Sequence, residues 1–241
     1  MATLREHTDA LREALLSLPA EREQGFEGLL AAVLSDVMAM PFRLAGSGSQ
    51  YGKDGQASYE TDGVSFESKR WDNTVPRHEV LTKIADLALY VGAVDLWILG
   101  ASTDVREQLV ADARKLATLH GIAVVVLDWS AKVGLPPLGV VLAMGSHATV
   151  DFFDRYVPVT LMPSARAALD AIRNAPGFAE HAARLRAELQ DPLTGMGPAR
   201  AANATWMSQA FESRRAARHQ LRQSIAPRDT ALGNNPVRTE L

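Results

Sequence analysis

The stretch IAVVVLDW, residues 122–129, is the strongest indicator of the fold in this 241-residue sequence. Its apolar, largely β-branched side chains run on without alternating polar ones, which is typical of a central parallel strand covered on both faces. The segment VDLWILGAS, residues 94–102, predicts a second short buried strand. Between them, residues 104–119 have the spacing of a connecting helix. This alternation predicts an α/β sheet with right-handed crossovers.

A third strand is predicted nearer the N-terminus, in the segment DGVSFESKRW, residues 62–71. Its side chains alternate with period two, so Glu67 and Lys69 share one face while the apolar side chains point to the other. Apolar residues recur at helical steps before it, between residues 22 and 40, and after it, over residues 78–91. The sheet is therefore expected to lie between helices.

The C-terminal third of the chain differs in composition from the rest. One further helix is predicted within residues 138–156, and the chain after Pro163 is rich in Ala and Arg with helical patterns broken by prolines. We expect one domain over residues 1–163 and a helical extension over residues 164–241. The last stretch, residues 224–241, has little to bury and predicts a linker toward a missing C-terminal region.

Composition limits the classes of protein that this chain can belong to. No apolar run approaches the length of about 18 residues that a membrane span requires, and the N-terminus lacks the apolar core of a secretory signal. The absence of cysteine excludes disulfides and thiolate metal sites, and the histidines show no paired ligand spacing. We therefore expect a cytoplasmic protein that does not act at a membrane.

Charge is distributed unevenly along the chain. The formal net charge is -3, but from residue 165 onward eleven Arg and no Lys stand against seven acidic residues. Residues 1–164 must therefore be strongly acidic, which argues against broad electrostatic adhesion to nucleic acid. A metal site built from carboxylates would itself contribute some of those negative charges.

A carboxylate, a second carboxylate and a lysine are predicted to meet on the strand of residues 62–71. Asp54 lies in a glycine-flanked turn 13 residues before Glu67, a spacing that lets a hairpin return bring the two together. Hydrolysis of a phosphodiester needs hard oxygen ligands for Mg²⁺ or Mn²⁺, and a group that orients water and neutralises charge. Asp54 and Glu67 are candidate metal ligands, and Lys69 is the candidate for the second task.

These residues resemble the PD-(D/E)xK nuclease superfamily, whose restriction-endonuclease-like core runs αβββαβ. The resemblance covers residues 22–130 and lies in GFEGLLAAVL (25–34), GSQYGKDG (48–55) and FESKRW (66–71). It implies a mixed central sheet, a divalent metal held by Asp54, Glu67 and an acid of the first helix, here Glu27, and Gln50 beside the site. Lys53 stands where the motif has proline. Glu27 is also readable as a surface acid, and Gln50 as a turn residue.

Two later segments resemble a region found in bacterial anti-phage defence proteins. VVVLDWSAKVGLPPLGVVLA (124–143) and ANATWMSQAFESRRAARHQLRQSIAP (202–227) are similar to the part that joins an N-terminal effector nuclease to a STAND-type NTPase. This resemblance implies a nuclease acting on DNA, and oligomerisation of the full-length protein through the missing region.

Several alternatives stay open at the level of sequence. An acid and a lysine two residues apart occur by chance on many exposed strands, where the pair contributes under about 1 kcal/mol. Arg70 is a candidate contact to DNA, and Trp71 is favoured as a core residue. His78 could lie near the site and Lys83 could face the same cleft, but surface positions are favoured for both. The main rival function is a catalytically inactive module that keeps the fold for nucleic-acid binding or oligomerisation. A resolvase or repair nuclease is a third option.

Overall fold

The chain has an α/β fold in which a mixed sheet of five strands lies between two layers of helices. The structure is a computed structural model, and it describes residues 2–44, 54–57, 63–71, 74–91, 94–130 and 134–190, together with 213 and 216. The described α-helices are α1 (Leu4–Leu16), α2 (Phe26–Met38), α3 (Arg77–Asp86), α4 (Glu107–Leu119), α5 (Pro137–Met144), α6 (Ser146–Tyr156), α7 (Met162–Arg173) and α8 (Phe178–Gln190), and a π-helical segment (Leu87–Val91) continues α3. The strands are β1 (Phe42–Leu44), β2 (Gly55–Ala57), β3 (Val64–Lys69), β4 (Leu96–Ala101) and β5 (Ala123–Leu127).

The order of the strands in the sheet is the same as their order in the chain. β1, β2 and β3 pair antiparallel, whereas β3, β4 and β5 pair parallel. A parallel pair needs a crossover, and α3 and α4 provide the two crossovers. The carboxyl ends of β3, β4 and β5 therefore meet at one edge of the sheet, where ligands commonly bind in open α/β sheets.

The two faces of the sheet carry separate cores. Alternate residues such as Phe66, Ile98 and Val125 join a large core with α1, α2 and the helices α5 to α8. Their neighbours Trp97 and Val124 point the other way and pack against α3 and α4. This distribution confirms that the 94–102 and 122–129 segments are buried strands and that 122–129 is covered on both faces. The prediction that 122–129 is a central strand is wrong, because β5 pairs only with β4 and is the last strand of the described sheet.

The N-terminal helix α1 joins the large core by packing against α7, which is distant from it in the sequence. α1 begins with a capping box, in which the Thr3 hydroxyl accepts a hydrogen bond from Glu6 N–H and the Glu6 carboxylate accepts one from Thr3 N–H. It packs along α7, whose residues Leu169 and Ile172 are buried in the same core as Leu15. The predicted division between residues 163 and 164 falls inside α7.

The helix predicted within residues 138–156 is two helices. α5 ends and α6 begins at Gly145, whose backbone is not helical, with φ -91° and ψ 42°. Of the predicted helical extension over residues 164–241, the part after residue 190 lies outside the described residues except for 213 and 216. Within the described ranges, no helix is both long enough and apolar enough to cross a membrane.

Candidate active site

A cleft of about 790 Å³ opens where β3 ends, between the first turn of α2 and the helix α3. Every predicted site residue that the structure describes lines this cleft; they are Glu27, Asp54, Glu67, Lys69 and Arg70. Gln50 lies outside the described residues. Residues from three separate segments therefore converge on one space that is open to solvent.

Glu67 and Lys69 are next to each other on the face of β3 that α3 covers. The Lys69 Nζ atom lies 2.7 Å from Glu67 Oε1. The Glu67 side chain is only 1% exposed and that of Lys69 is 16% exposed. Because period-two spacing puts residues 67 and 69 on one side of the strand, the sequence alone predicts this pair.

Asp54 is held in place by β3. It immediately precedes β2, and its N–H donates to the Phe66 carbonyl at 2.9 Å. Its Oδ2 atom accepts two hydrogen bonds from Ser68, from the backbone N–H at 2.6 Å and from the hydroxyl at 2.7 Å. Because Gly55 pairs with Phe66 in the antiparallel ladder, Asp54 reaches the sheet beside Glu67.

The Glu67 carboxylate is buried with incomplete hydrogen bonding. Its Oε1 atom lies 2.7 Å from the Lys69 ammonium nitrogen and 3.2 Å from the Lys83 ammonium nitrogen. Its Oε2 atom has no hydrogen-bond partner among the described residues. Burial raises the pKa of Glu67, and the negative charge of Asp54 raises it further, while the two lysines act in the opposite direction. A bound cation would stabilise the charged form of Glu67 against both the burial and the repulsion from Asp54.

Glu27 faces the cleft from the first turn of α2. Its Oε2 atom accepts a hydrogen bond of 2.7 Å from the N–H of Arg22, a residue in the left-handed region with φ 76°. Burial raises the pKa of Glu27, the hydrogen bond from Arg22 lowers it, and the charge of Asp54 raises it. The carboxylate is thus close enough to sense Asp54, but one of its oxygens is already engaged.

These side chains suit a metal ion with a partly hydrated shell. In the described ranges, no three acidic, histidine or cysteine side chains are gathered so as to hold a metal ion on their own. Asp54 and Glu67 could provide two hard oxygen donors, since no described residue donates a hydrogen bond to Glu67 Oε2. Mg²⁺ usually keeps several waters and uses one or two protein carboxylates, so this donor set fits it.

Two residues of α3 that the sequence did not assign to the site belong to it. Lys83 was predicted at the surface, but its Nζ lies 3.2 Å from Glu67 Oε1 and its side chain is 31% exposed. Glu79 places Oε2 3.9 Å from Lys69 Nζ. The sequence contained an indication of this, because Glu79 and Lys83 directly precede Val80 and Ile84, the buried residues of α3. Side chains next to the buried face of the helix can reach the strand beneath it.

Arg70 and Trp71 have structural partners as well as places in the cleft. Arg70 Nη1 donates to the carbonyl of Leu16 at the end of α1 at 3.2 Å, where a cation is favoured by the helix dipole. The N–H of Trp71 donates to Ser102 Oγ at 2.9 Å, and its ring packs against the smaller core. His78 is exposed on α3, as predicted.

No family model and no curated protein matches this sequence. The interpretation of the cleft therefore depends on its chemistry: a buried carboxylate, a second fixed carboxylate and two ammonium groups.

A second cleft, of about 500 Å³, lies at the carboxyl end of β5. Its buried acid, Asp128, accepts a hydrogen bond of 2.9 Å from the N–H of Val105 and so ties β5 to the loop before α4. Burial raises the pKa of Asp128, and the backbone hydrogen bonds lower it. Because this carboxylate is already engaged by the backbone, we assign it a structural role.

Proposed function

We propose that this chain is a divalent-metal-dependent endonuclease of the PD-(D/E)xK type that hydrolyses phosphodiester bonds of double-stranded DNA. The observation that carries the proposal is the Glu67 carboxylate, which is buried at the wall of an open cleft with one oxygen unpartnered in the described structure. An acid buried in this way is costly unless a cation compensates it. Asp54 and Lys69 beside it complete the set of groups that hydrolysis of a phosphodiester requires.

The order of the elements supports the same proposal. α2, the strands β1 to β3, α3 and β4 follow one another as αβββαβ. Asp54 precedes the second of these strands, and Glu67 and Lys69 lie on the third. The sequence resemblance implies this distribution of acids and lysine.

Each side chain has a distinct task in the proposed reaction. Asp54 and Glu67 would hold Mg²⁺ or Mn²⁺, which supplies Lewis-acid stabilisation of the phosphoryl oxygens and lowers the pKa of a bound water. The Lys69 ammonium would orient the attacking water and neutralise charge that develops on the phosphorus oxygens. Ser68 would keep the Asp54 carboxylate in position through its two hydrogen bonds.

The wider setting is proposed from the resemblance alone. We infer that the nuclease is the effector domain of a cytoplasmic bacterial defence protein, that a STAND-type NTPase region follows it, and that the full-length protein is a homo-oligomer. Clustering of effector domains would bring two such clefts to the two strands of a duplex.

The experiment that tests the activity is cleavage of plasmid DNA at high protein concentration with Mg²⁺ or Mn²⁺. We expect Glu67→Gln and Lys69→Met to lose at least about 100-fold in rate, because each removes a group that stabilises developing charge. Lys115→Met, which changes an exposed lysine on α4, is the matched control and should cut like the wild type. Equal cleavage by all four proteins would refute the proposal.

A catalytically silent nucleic-acid-binding or oligomerisation module is the alternative, and one observation favours it. Glu67 is already compensated by two ammonium groups, and an ion cluster of this kind can serve the fold alone. Titration with Mn²⁺ separates the two candidates. The enzyme should bind Mn²⁺ with an affinity that falls in Asp54→Asn and Glu67→Gln, whereas a silent module should show no dependence on these residues.

A further inference from the structure

Helix α3 and strand β3 present their charges to each other in a crossed arrangement. The strand acid Glu67 faces the helix lysine Lys83 at 3.2 Å, and the strand lysine Lys69 faces the helix acid Glu79 at 3.9 Å. Glu79 and Lys83 are four residues apart and so lie one above the other on the helix. Within this arrangement Glu67 and Lys69 are also paired with each other at 2.7 Å.

Lys69 and Lys83 differ in the acidic neighbours that remain to them if a divalent cation binds to Glu67. A cation on this carboxylate repels both ammonium groups, because all three positive charges share one acid. Lys69 keeps Glu79 as a second anionic neighbour. Among the described residues, Glu67 is the one carboxylate within ion-pair distance of Lys83.

Lys83 is also less enclosed by the protein than Lys69. Its side chain is 31% exposed at the wall of the cleft, whereas that of Lys69 is 16% exposed. A lysine has a flexible stem of four carbons, so its ammonium can leave one anion for another without movement of the backbone. The anion that a nuclease brings into this cleft is the phosphate backbone of its substrate.

We propose, on the basis of the proposed function, that Lys83 is a phosphate-binding residue of this cleft. Before metal binds, it is a counter-ion of Glu67. When a divalent cation takes that carboxylate, Lys83 turns to a phosphate next to the scissile one, so the cleft favours a polynucleotide over an isolated phosphodiester. Contact between Lys83 and DNA therefore depends on metal.

The test measures binding of the complete chain to a short fluorescent DNA duplex across a salt series, once with Ca²⁺ and once with EDTA. With Ca²⁺, we expect Lys83→Met to reduce the slope of log Kd against log salt by about one, the effect of losing one phosphate contact. With EDTA, the slopes of variant and wild type should coincide. Lys83→Arg should keep the wild-type slope, and Lys115→Met is the control for loss of a lysine outside the cleft.

Titration with Mn²⁺ in the absence of DNA gives a second readout. Because the Lys83 ammonium competes for Glu67, we expect Lys83→Met to bind Mn²⁺ several-fold more tightly than the wild type. Unchanged or weaker binding would contradict the counter-ion role. Identical salt slopes with Ca²⁺, or equal losses with Ca²⁺ and EDTA, would contradict the metal-dependent contact.

The same data distinguish failure of this inference from failure of the proposed function. If Mn²⁺ binding does not fall in Glu67→Gln, the metal-dependent nuclease itself is refuted. If Mn²⁺ binding falls in Glu67→Gln while Lys83→Met matches the wild type in salt slope, only the role of Lys83 is refuted. Lys83→Gln repeats the comparison with a polar side chain, should the methionine variant fold poorly.

Discussion

The Asp54 carboxylate is positioned by one residue of a neighbouring strand. Ser68 supplies both of the hydrogen bonds to Asp54 Oδ2, one from its backbone and one from its hydroxyl. We propose Asp54 as a metal ligand, and residues that orient a metal ligand affect metal affinity even though they do not touch the metal. The backbone and the hydroxyl of Ser68 together therefore fix the position of Asp54 Oδ2.

Replacement of Ser68 by alanine tests this dependence. Ser68→Ala removes one of the two bonds and keeps the backbone bond, so we expect a loss of about 1 kcal/mol in the free energy of unfolding. We expect Mn²⁺ affinity to fall by about tenfold, because the carboxylate becomes free to rotate. Urea unfolding and Mn²⁺ titration measure the two effects.

Ser65 is the matched control for this substitution. It is also buried on β3, and its hydroxyl has no hydrogen-bond partner among the described residues. Ser65→Ala should therefore leave stability unchanged or raise it, and should leave Mn²⁺ affinity as in the wild type. Equal Mn²⁺ affinities in the two alanine variants would exclude a positioning role for the Ser68 hydroxyl.

Sequence reasoning recovered the part of the site that depends on local spacing. Glu67 and Lys69 follow from the period of a strand, and Asp54 follows from a turn that leads into the adjacent strand. Lys83 and Ser68 were not recovered, because the rotation of α3 about its axis and the partner of the Asp54 oxygen are set by tertiary packing. Local spacing contains neither.

At the scale of elements, Gly28 allows a loop to pack against the start of α2. A Cβ atom at this position would lie 2.1 Å from the carbonyl oxygen of Glu23. That loop includes Arg22, which donates the hydrogen bond to Glu27. A backbone contact of this kind cannot be relieved by rotation of a side chain.

Gly28→Ala should therefore destabilise the protein although alanine favours helices. The gain in helix propensity is at most about 1 kcal/mol, and we expect the clash to outweigh it, with a net loss of about 1–3 kcal/mol. Gly139→Ala on α5 is the control, because its Cβ would meet only side-chain atoms, the nearest at 3.0 Å. Denaturant midpoints compare the two, and a smaller loss at residue 28 than at 139 would contradict the account.

Asp128 links β5 to the loop before α4, and its raised pKa predicts that stability depends on pH. Burial raises its pKa in the folded state above the ordinary value of 3.8. Above pH 3.8 the unfolded chain therefore releases this proton first, so the contribution of Asp128 to stability falls as pH rises toward its folded pKa.

Asp128→Asn removes this titration and keeps an oxygen that can accept from Val105 N–H. We expect the stability of the variant relative to the wild type to increase as pH is raised from the acid range toward neutrality. Urea unfolding at a series of pH values measures the difference. A difference that is constant, or that shrinks with rising pH, would show that the raised pKa is not the cause.

The sequence predicted those elements whose burial leaves a clear pattern of apolar residues. The strands β4 and β5 are buried on both faces and were recognised by continuous apolar composition. The break between α5 and α6 was missed because a single glycine within a helical pattern is compatible with an unbroken helix. At Gly145 a Cβ atom would lie 3.1 Å from Val33 of α2, so the close approach there is a tertiary feature.

At the scale of the whole molecule, α7 is part of the same core as the sheet. Ile172 is fully buried among residues that include Leu15 of α1 and Leu138 of α5. Sequence alone could not detect this, because the Ala- and Arg-rich composition of the helix resembles that of a peripheral extension. Only the packing of α1 along α7 reveals it.

A substitution at Ile172 tests whether this region unfolds together with the sheet. Ile172→Ala should cost about 2–5 kcal/mol and Ile172→Val about 0.5–1.5 kcal/mol, in proportion to the apolar volume removed. Tryptophan fluorescence and far-UV circular dichroism should report one shared urea transition in both variants. Separate transitions for the two probes would indicate that α7 belongs to an independent unit.

The agreement between strand order and chain order has a consequence for synthesis on the ribosome. Each strand from β2 to β5 emerges when the strand beside which it will lie has already been made, so the sheet can grow from one edge as translation proceeds. α1 is made before all of them but packs on α7, which emerges last but one among the described helices. The apolar side of α1 therefore lacks its partner α7, and is accessible to chaperones and to other nascent chains, until most of the chain has been translated.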